Sequence, residues 1–370
     1  MKFLINASNI KVGGGVQVTD SICHALGQFE QHEFVVVLSS WIRSIRKVCA
    51  SFANVKVYEY DIKNSLETLL SGRDAFLDQL VQSEGVDAVL TVFGPSRWNP
   101  RCKHLCGFAS AQLVLKDSPY YIQRLPLSLW CKEKVRNTIL RWYYKACGPN
   151  YYTENPYISE KVKALFGVPT VYTVTNYYNQ VFDQGNRWVP YTLPPFDGIT
   201  LLTVTAAYPH KNLGIAVKAA RILEERKVDF DFRFVLTVQE TEMGSIPEPL
   251  RRHFLFIGKV DIAVCPSLYR QADIMFQPTL LECFTATYPE AMKMEVPILT
   301  TDLEFARGLC GDAALYYSPL SAEDAACKIE QLATDSALRA RLVAAGKEQL
   351  RRYDNYQQRV EKLIYLLENL

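Results

Sequence analysis

Leu281-Glu282-Cys283-Phe284-Thr285-Ala286-Thr287-Tyr288-Pro289-Glu290 follows a short apolar run, Asp273 to Pro278, and the order of residue types across this stretch decides the fold. The apolar run predicts a strand that ends just before Glu282. Thr287, with Pro289 two positions on and Glu290 three, predicts a helix capped by the Thr287 hydroxyl. Strand, tight turn and helix start in that order form the repeating step of an α/β sheet, and the free amides of such a helix start attract anions. Glu282 and Glu290 stand eight positions apart, one before those amides and one within the first turn. Amides suit phosphates and carboxylates suit hydroxyls, so the pattern points to a ligand with both, as nucleotide sugars have. Two readings stand for Glu290, which can also close a capping box with Thr287. Glu282, a carboxylate beyond an apolar strand, has no comparable local duty.

The same alternation runs through the chain. Apolar runs at Lys2–Asn6, Phe34–Leu38, Val55–Tyr60, Val86–Val92, His104–Phe108 and Val171–Val174 alternate with helix-length stretches in the first half. Ile199–Thr205, Phe232–Thr237, Phe254–Ile257, Asp273–Phe276 and Pro297–Thr300 do so in the second. Such alternation predicts parallel sheets crossed by helices. A chain of 370 residues exceeds what one core usually holds, so two doubly wound α/β domains are expected, facing one another. The polar stretch Asn176 to Gly198, with Pro190, Pro194 and Pro195, is the expected connection between them.

A formal net charge of +2 and a hydrophobic fraction of 49% describe a soluble globular chain without the one-sign field of a general nucleic-acid binder. No stretch approaches the ~20 apolar residues of a membrane span. The apolar run after Met1 breaks at Asn6, so no secretory signal is expected. Ten scattered cysteines suit a reducing cytoplasm better than a disulfide scaffold. Cys102, His104 and Cys106 offer three metal ligands where a structural zinc takes four, so strand alternation is the expected reading and no metal is assigned.

Three further segments carry candidate chemistry. The first strand leads to Gly13-Gly14-Gly15-Val16-Gln17 and a helical run through Leu26. Glycines let a backbone bring its amides against a ligand, and a plain flexible turn is the alternative. Strand Ile199–Thr205 leads into Ala206-Ala207-Tyr208-Pro209-His210-Lys211-Asn212-Leu213 and a helix through Leu223. A lysine at such a junction adds a point charge where an anion already prefers to sit, and a solvated lysine is the alternative. Within the stretch Leu125 to Gly148, five cations (Lys132, Lys134, Arg136, Arg141, Lys145) against Glu133 give +4 between Cys131 and Cys147. Trp130, Ile139, Leu140, Trp142, Tyr143 and Tyr144 are interleaved with them. That mixture suits an anionic membrane surface, while an ordinary surface helix with its aromatics packed inward is the other reading. No recognised motif supports nucleic acid.

Pro278-Thr279, Glu282, Phe284, Glu290-Ala291-Met292, Val296-Pro297-Ile298 and Thr301-Asp302 together resemble the donor-site signature of the retaining family 4 glycosyltransferases, glycosyl transferases group 1, of the GT-B fold. The likeness continues through Gly311-Asp312-Ala313-Ala314 and Tyr317-Ser318-Pro319, and upstream through Tyr269-Arg270-Gln271-Ala272-Asp273. Cys283 and Thr285 stand where that family carries glycines, which narrows the room for the sugar. Ala206 stands where it often has an arginine, leaving Lys211 more of the diphosphate charge, with His210 beside it.

The resemblance implies two Rossmann-like domains about a central cleft: an acceptor-side domain over 1–178, a linker over 179–198, and a donor domain over 199–353. A final helix over 354–370 would pack back on the first. It implies retaining, metal-independent transfer from a nucleotide-diphosphate sugar, with no other cofactor, to a saccharide acceptor. Lys211 would stabilise the departing diphosphate, Glu282 orient the sugar, and Glu290 hold the ribose hydroxyls. Gly14, Gly15, His210, Asn212, Gly258, Cys283, Phe284 and Thr285 would line the donor site. The acceptor would lie near Gly13–Gly15 and the Phe93-Gly94-Pro95-Ser96 turn. No catalytic histidine is assigned, because Gly107-Phe108-Ala109-Ser110 holds none and His104 reads as a core residue. The basic stretch adds the expectation of a lipid-linked acceptor, in bacterial O-antigen or capsule synthesis, at the cytoplasmic face of the membrane. Two rivals remain. A sugar phosphorylase lacks a matching pyridoxal-lysine segment here, and the Lys211–Glu282–Glu290 set argues against a non-catalytic nucleotide-sugar binding protein.

Overall fold

The structure, a computed structural model, describes residues 1–62, 71–122 and 127–370; Leu125 and the side chain of Trp130 lie outside what it describes. The chain forms two compact units. The first comprises Met1–Lys116, Arg124–Asn176 and Asp354–Leu370, the second Asp117–Gln123 and Tyr177–Tyr353.

The first unit is built on seven strands: β1 (Lys2–Ala7), β2 (Glu33–Leu38), β3 (Val55–Glu59), β4 (Ala88–Thr91), β5 (Lys103–Gly107), β6 (Tyr151–Thr153) and β7 (Val171–Thr173). They are parallel in the order β3-β2-β1-β4-β5-β6-β7. Ile5 sits between Val36 of β2 and Leu90 of β4. Strands covered on both faces need apolar residues at every position, and β2 supplies them in Phe-Val-Val-Val-Leu. Phe34, Val36 and Leu38 enter one core layer, while Val35 and Val37 enter the layer on the other face with Leu77, Leu80 and Trp98.

The main helices of this unit are α1 (Gly14–Ala25), α2 (Ala75–Glu84), α3 (Leu127–Ala146) and α4 (Pro156–Phe166). The C-terminal helix Tyr356–Glu368 joins the same core through Val360, Leu363, Ile364 and Leu367, one stripe at helical spacing. Four such side chains removed from water stabilise that docking by roughly 6–12 kcal/mol as an upper bound. A buried ion pair adds direction: Arg359 Nη2 donates to Glu154 Oε1 at 2.7 Å, with 1% and 7% of the side chains exposed.

The second unit carries β8 (Ile199–Thr203), β9 (Phe232–Leu236), β10 (Phe254–Phe256), β11 (Ile274–Gln277), β12 (Ile298–Thr301) and β13 (Ala314–Tyr317). These strands are parallel in the order β10-β9-β8-β11-β12-β13. Its core gathers Leu201, Phe234, Ile274, Phe276 and Leu299 with the inner stripe of helix Gly214–Arg226. Residues 177–198 hold to this unit, with the Val189 amide donating to the Ala263 carbonyl and the Leu193 amide to Gln271 Oε1, each at 2.9 Å.

Three elements differ from expectation. β6 and β13 are strands that the apolar runs do not announce; each is only three or four residues long and rich in tyrosine. The helix after Glu282 runs Thr287–Lys293, and Ala286, not Thr287, occupies its cap with no side-chain hydrogen bond. Thr287 is already helical, and its hydroxyl instead meets Thr285 Oγ1 at 2.9 Å and Gln277 Nε2 at 3.2 Å. No capping box forms, so Glu290 is not there to close one.

Candidate functional site

In a doubly wound sheet, the loops leaving the two central strands turn to opposite sides and open a crevice at the strands' carboxyl ends. In the second unit those strands are β8 and β11. The loop after β8 delivers Lys211 and the loop after β11 delivers Glu282. Their side chains form an ion pair, only 14% and 12% exposed, between residues 71 positions apart in sequence. Burying two charges costs most of what their attraction returns, so such a pair adds little net stability and is better explained by chemistry.

Hydrogen bonds hold the pair's loops together. Thr279 Oγ1 donates to Glu282 Oε1 at 2.9 Å, and Thr301 Oγ1 donates to the Thr279 carbonyl at 2.7 Å. The Leu280 amide donates to the His210 carbonyl at 2.8 Å, joining one loop to the other. Ser118 Oγ, from the short excursion Asp117–Gln123, donates to the Leu280 carbonyl at 2.6 Å. His210 lies parallel to Tyr208 with centroids 5.7 Å apart and edge-on to Tyr120 at 6.3 Å. Burial lowers the His210 imidazole below its ordinary value, against the opposing pull of Glu282, so Lys211 carries the positive charge here. Asn212 adopts φ 51, a left-handed conformation open to asparagine, and its Nδ2 is buried with no hydrogen-bond partner among the described residues.

The remaining donor candidates lie around this pair rather than in it. Cys283 and Thr285 are buried in the turn after Glu282, and Phe284 meets the Tyr353 ring edge-on at 6.3 Å. Glu290 sits in the first turn of the following helix, 4% exposed, accepting from the Tyr269 hydroxyl at 3.1 Å. Burial pushes its carboxyl up to about 7, and Tyr269 opposes the shift. Gly258, at φ 69, packs so closely on Gln239 that a Cβ would stand 2.4 Å from its side-chain amide. In the first unit, Gly14 and Gly15 open helix α1, and the position that demands glycine is Gly13 at φ 76 and ψ −154.

Sequence reading passed over four residues that the geometry brings in. Thr279 and Tyr269 stand inside the family motif, with nothing local to show which carboxylate each would touch. Ser118 and Tyr120 carry no signal at all, since Ser118 meets its partner across 162 positions.

The Glycosyl transferases group 1 family model matches residues 192–349. A phosphatidyl-myo-inositol mannosyltransferase from Mycobacterium leprae is 30% identical over 149 residues, 40% of this chain and 40% of that protein, so the chain matches well under two thirds of that relative's length. Among solved structures, a glycosyltransferase from Rickettsia africae is similar with a TM-score of 0.72 at 14% identity, covering 100% of this chain and 97% of that one. Anabaena Alr3699/HepE, solved in complex with UDP and glucose, is similar with a TM-score of 0.64 at 12% identity, covering 100% of both chains. At such identities the likeness to the solved structures is one of fold. Residues 192–349 thus match the Glycosyl transferases group 1 family model, and the two Rossmann-like units of the chain have the GT-B fold.

Proposed function

We propose that this protein is a retaining, metal-independent glycosyltransferase that moves a sugar from a nucleotide-diphosphate donor to a saccharide acceptor on a lipid, at the cytoplasmic face of a bacterial membrane, in surface polysaccharide synthesis. The observation that carries the reading is the Lys211–Glu282 pair at the strand ends of a group 1 domain. When the bond from the sugar's anomeric carbon to the diphosphate breaks, its electron pair goes to a phosphate oxygen. A preorganised ammonium stabilises charge that develops there. An incoming diphosphate competes with Glu282 for Lys211, which frees the carboxylate to accept sugar hydroxyls. Glu290 is the matching acceptor for ribose hydroxyls, with its carboxylate form favoured by the bonds they donate.

The lipid part of the reading is supported by helix α3. Val135, Ile139 and Trp142 form one stripe at helical spacing and are 61%, 46% and 44% exposed. At about 100° per residue, Lys132 and Arg136 flank the stripe on one side and Lys134 and Lys145 on the other. Tyr143 and Tyr144 pack inward, and Glu133, the one acid, is paired with Arg136 at 3.5 Å. An apolar stripe between cations is the pattern of a helix lying on an anionic surface. No helix among the described residues is long and apolar enough to cross a membrane.

A transfer assay with a panel of nucleotide sugars, and lipid-linked or soluble acceptors, tests the reading. Lys211→Ala and Glu282→Ala are each expected to lower turnover by about 10²–10³ while the protein stays folded. A folded variant with near wild-type turnover defeats the site, and a product of inverted anomeric configuration by NMR defeats retention.

A further inference from the structure

The geometry points to an anion-reading subsite in the first unit, built on Arg97 and Lys11, and hence to an acceptor that bears a phosphate ester. That its ligand is an acceptor rests on the proposed glycosyl transfer; that the ligand is charged rests on the residues around one cavity. This cavity, of about 440 Å³, lies beyond the carboxyl ends of β1 and β4, the switch point of the first sheet. Asn9, Lys11, Asp61, Phe93, Arg97 and Leu140 are among its walls. A volume of this size suits a polar head group of sugar dimensions.

The walls are held in place. Asn9 Nδ2 donates to the carbonyls of Phe93 at 2.7 Å and Pro95 at 3.4 Å, bracing the loop after β4 against the loop after β1. The Lys11 ammonium lies 5.8 Å from the Trp41 ring centroid, and the Arg97 guanidinium lies 4.8 Å from that of Tyr143. A ring face fixes where a cation sits. Asp61 accepts the Ser40 amide at 3.0 Å; hydrogen bonding from the Ser40 side chain first, then this amide bond and the charges of Lys11 and Arg43, hold its carboxyl below the usual range. It is therefore an acceptor for ligand hydroxyls.

Arg97 also stands at φ 57, where a Cβ crowds the following carbonyl and glycine is the unstrained choice. The chain keeps an arginine at this strained position, on the wall of a cavity, and strain of this kind gathers at ligand sites. A guanidinium fork grips two phosphate oxygens at once, and an ammonium adds a point charge. Two cations with one carboxylate thus favour a hydroxylated ligand carrying phosphate over a neutral sugar. The phosphate can belong to a lipid-linked saccharide or to a free sugar phosphate. Leu140 shares helix α3 with the exposed Val135–Ile139–Trp142 stripe, which favours the lipid-linked source.

Calorimetric titration, with nucleoside diphosphate held at saturation, tests the subsite with three probes. They are an alkyl glycoside phosphate, the uncharged alkyl glycoside of equal chain length, and the sugar phosphate without its alkyl chain. Wild type is expected to bind the phosphate-bearing glycoside about tenfold or more tightly than the uncharged one. Lys11→Ala and Arg97→Gly should each erase most of that preference. Arg97→Gly relieves the left-handed strain, so its melting temperature should hold and the loss can be read as recognition. Tighter binding of the alkylated phosphate supports a lipid-linked acceptor, and equal binding of both phosphates supports a soluble one. Equal affinity for charged and uncharged glycosides in wild type overturns the proposal, as does a preference that survives in both folded variants. Nucleoside diphosphate binding on the same samples separates the two readings. Its absence defeats glycosyl transfer, whereas its presence beside charge-blind acceptor binding defeats the subsite alone.

Discussion

Glu290→Gln is expected to stabilise the second unit more at alkaline than at acid pH, and to weaken nucleotide binding. Burial raises the Glu290 carboxyl from 4.5 to about 7, only partly offset by the Tyr269 hydroxyl. With its folded pKa raised, the folded state holds this proton more tightly than the unfolded chain. The stability so gained is fully present below about pH 4.5 and is lost as pH rises through about 7. Each unit of difference is worth about 1.4 kcal/mol. Ionising Glu290 therefore costs about 3 kcal/mol at pH 8 and about 1 kcal/mol at pH 5, relative to a side chain that stays neutral. Glutamine keeps the shape and an oxygen for Tyr269, and it never ionises. Any constant cost of its amide cancels when the two pH values are compared. The remaining difference of about 2 kcal/mol corresponds to about 4–8 °C in melting midpoint for a unit of this size. Thermal melts of wild type and variant at pH 5 and pH 8 read it directly, and titration with nucleoside diphosphate reads the binding loss. The same midpoint shift at both pH values would refute the burial argument, and unchanged nucleotide affinity would refute the ribose role.

Transfer is expected to survive excess EDTA, because Lys211 offers a cation to the diphosphate without a divalent ion; complete loss restored by magnesium or manganese overturns this. Sedimentation with liposomes should require anionic lipid, weaken as salt rises, and fall when Lys132, Lys134, Arg136 and Arg141 are made neutral. Equal pelleting with neutral and anionic lipid would leave α3 an ordinary surface helix. Ser118→Ala removes the hydrogen bond that holds the Leu280 carbonyl, worth about 1 kcal/mol, and should lower kcat several-fold at nearly constant donor KM, with Ser118→Thr restoring it. A rise in donor KM with kcat unchanged would place Ser118 outside the alignment of the pair.

Much of the fold was legible because its signals are local. Runs such as Phe34–Leu38 announce strands buried on both faces, and glycine or proline near the strand ends marks where the chain turns into helices. The short strands β6 and β13 escaped because three or four residues carry too little periodicity to stand out. The Thr287 cap failed for a different reason. Its hydroxyl had two competing partners, Thr285 beside it and Gln277 on the neighbouring strand, and the helix began one residue early. Sequence alone could not weigh those partners.

By itself, then, the sequence determined most of the stretches that become strands and helices, and several of the residues at their ends: Lys211 after one strand, Glu282 after another, Gly13 before a helix. Those outcomes depend on propensity and periodicity within a few residues of each position. Only the tertiary structure decided who meets whom. Lys211 reaches Glu282 because β8 and β11 pair side by side, and Ser118 reaches Leu280 because a short excursion of the chain lies on the second unit. Strand order, and the burial that lifts Glu290 to about 7, arise from contacts between segments far apart in sequence. No local pattern carries that information, because the free energy that selects those contacts is released only when the segments pack.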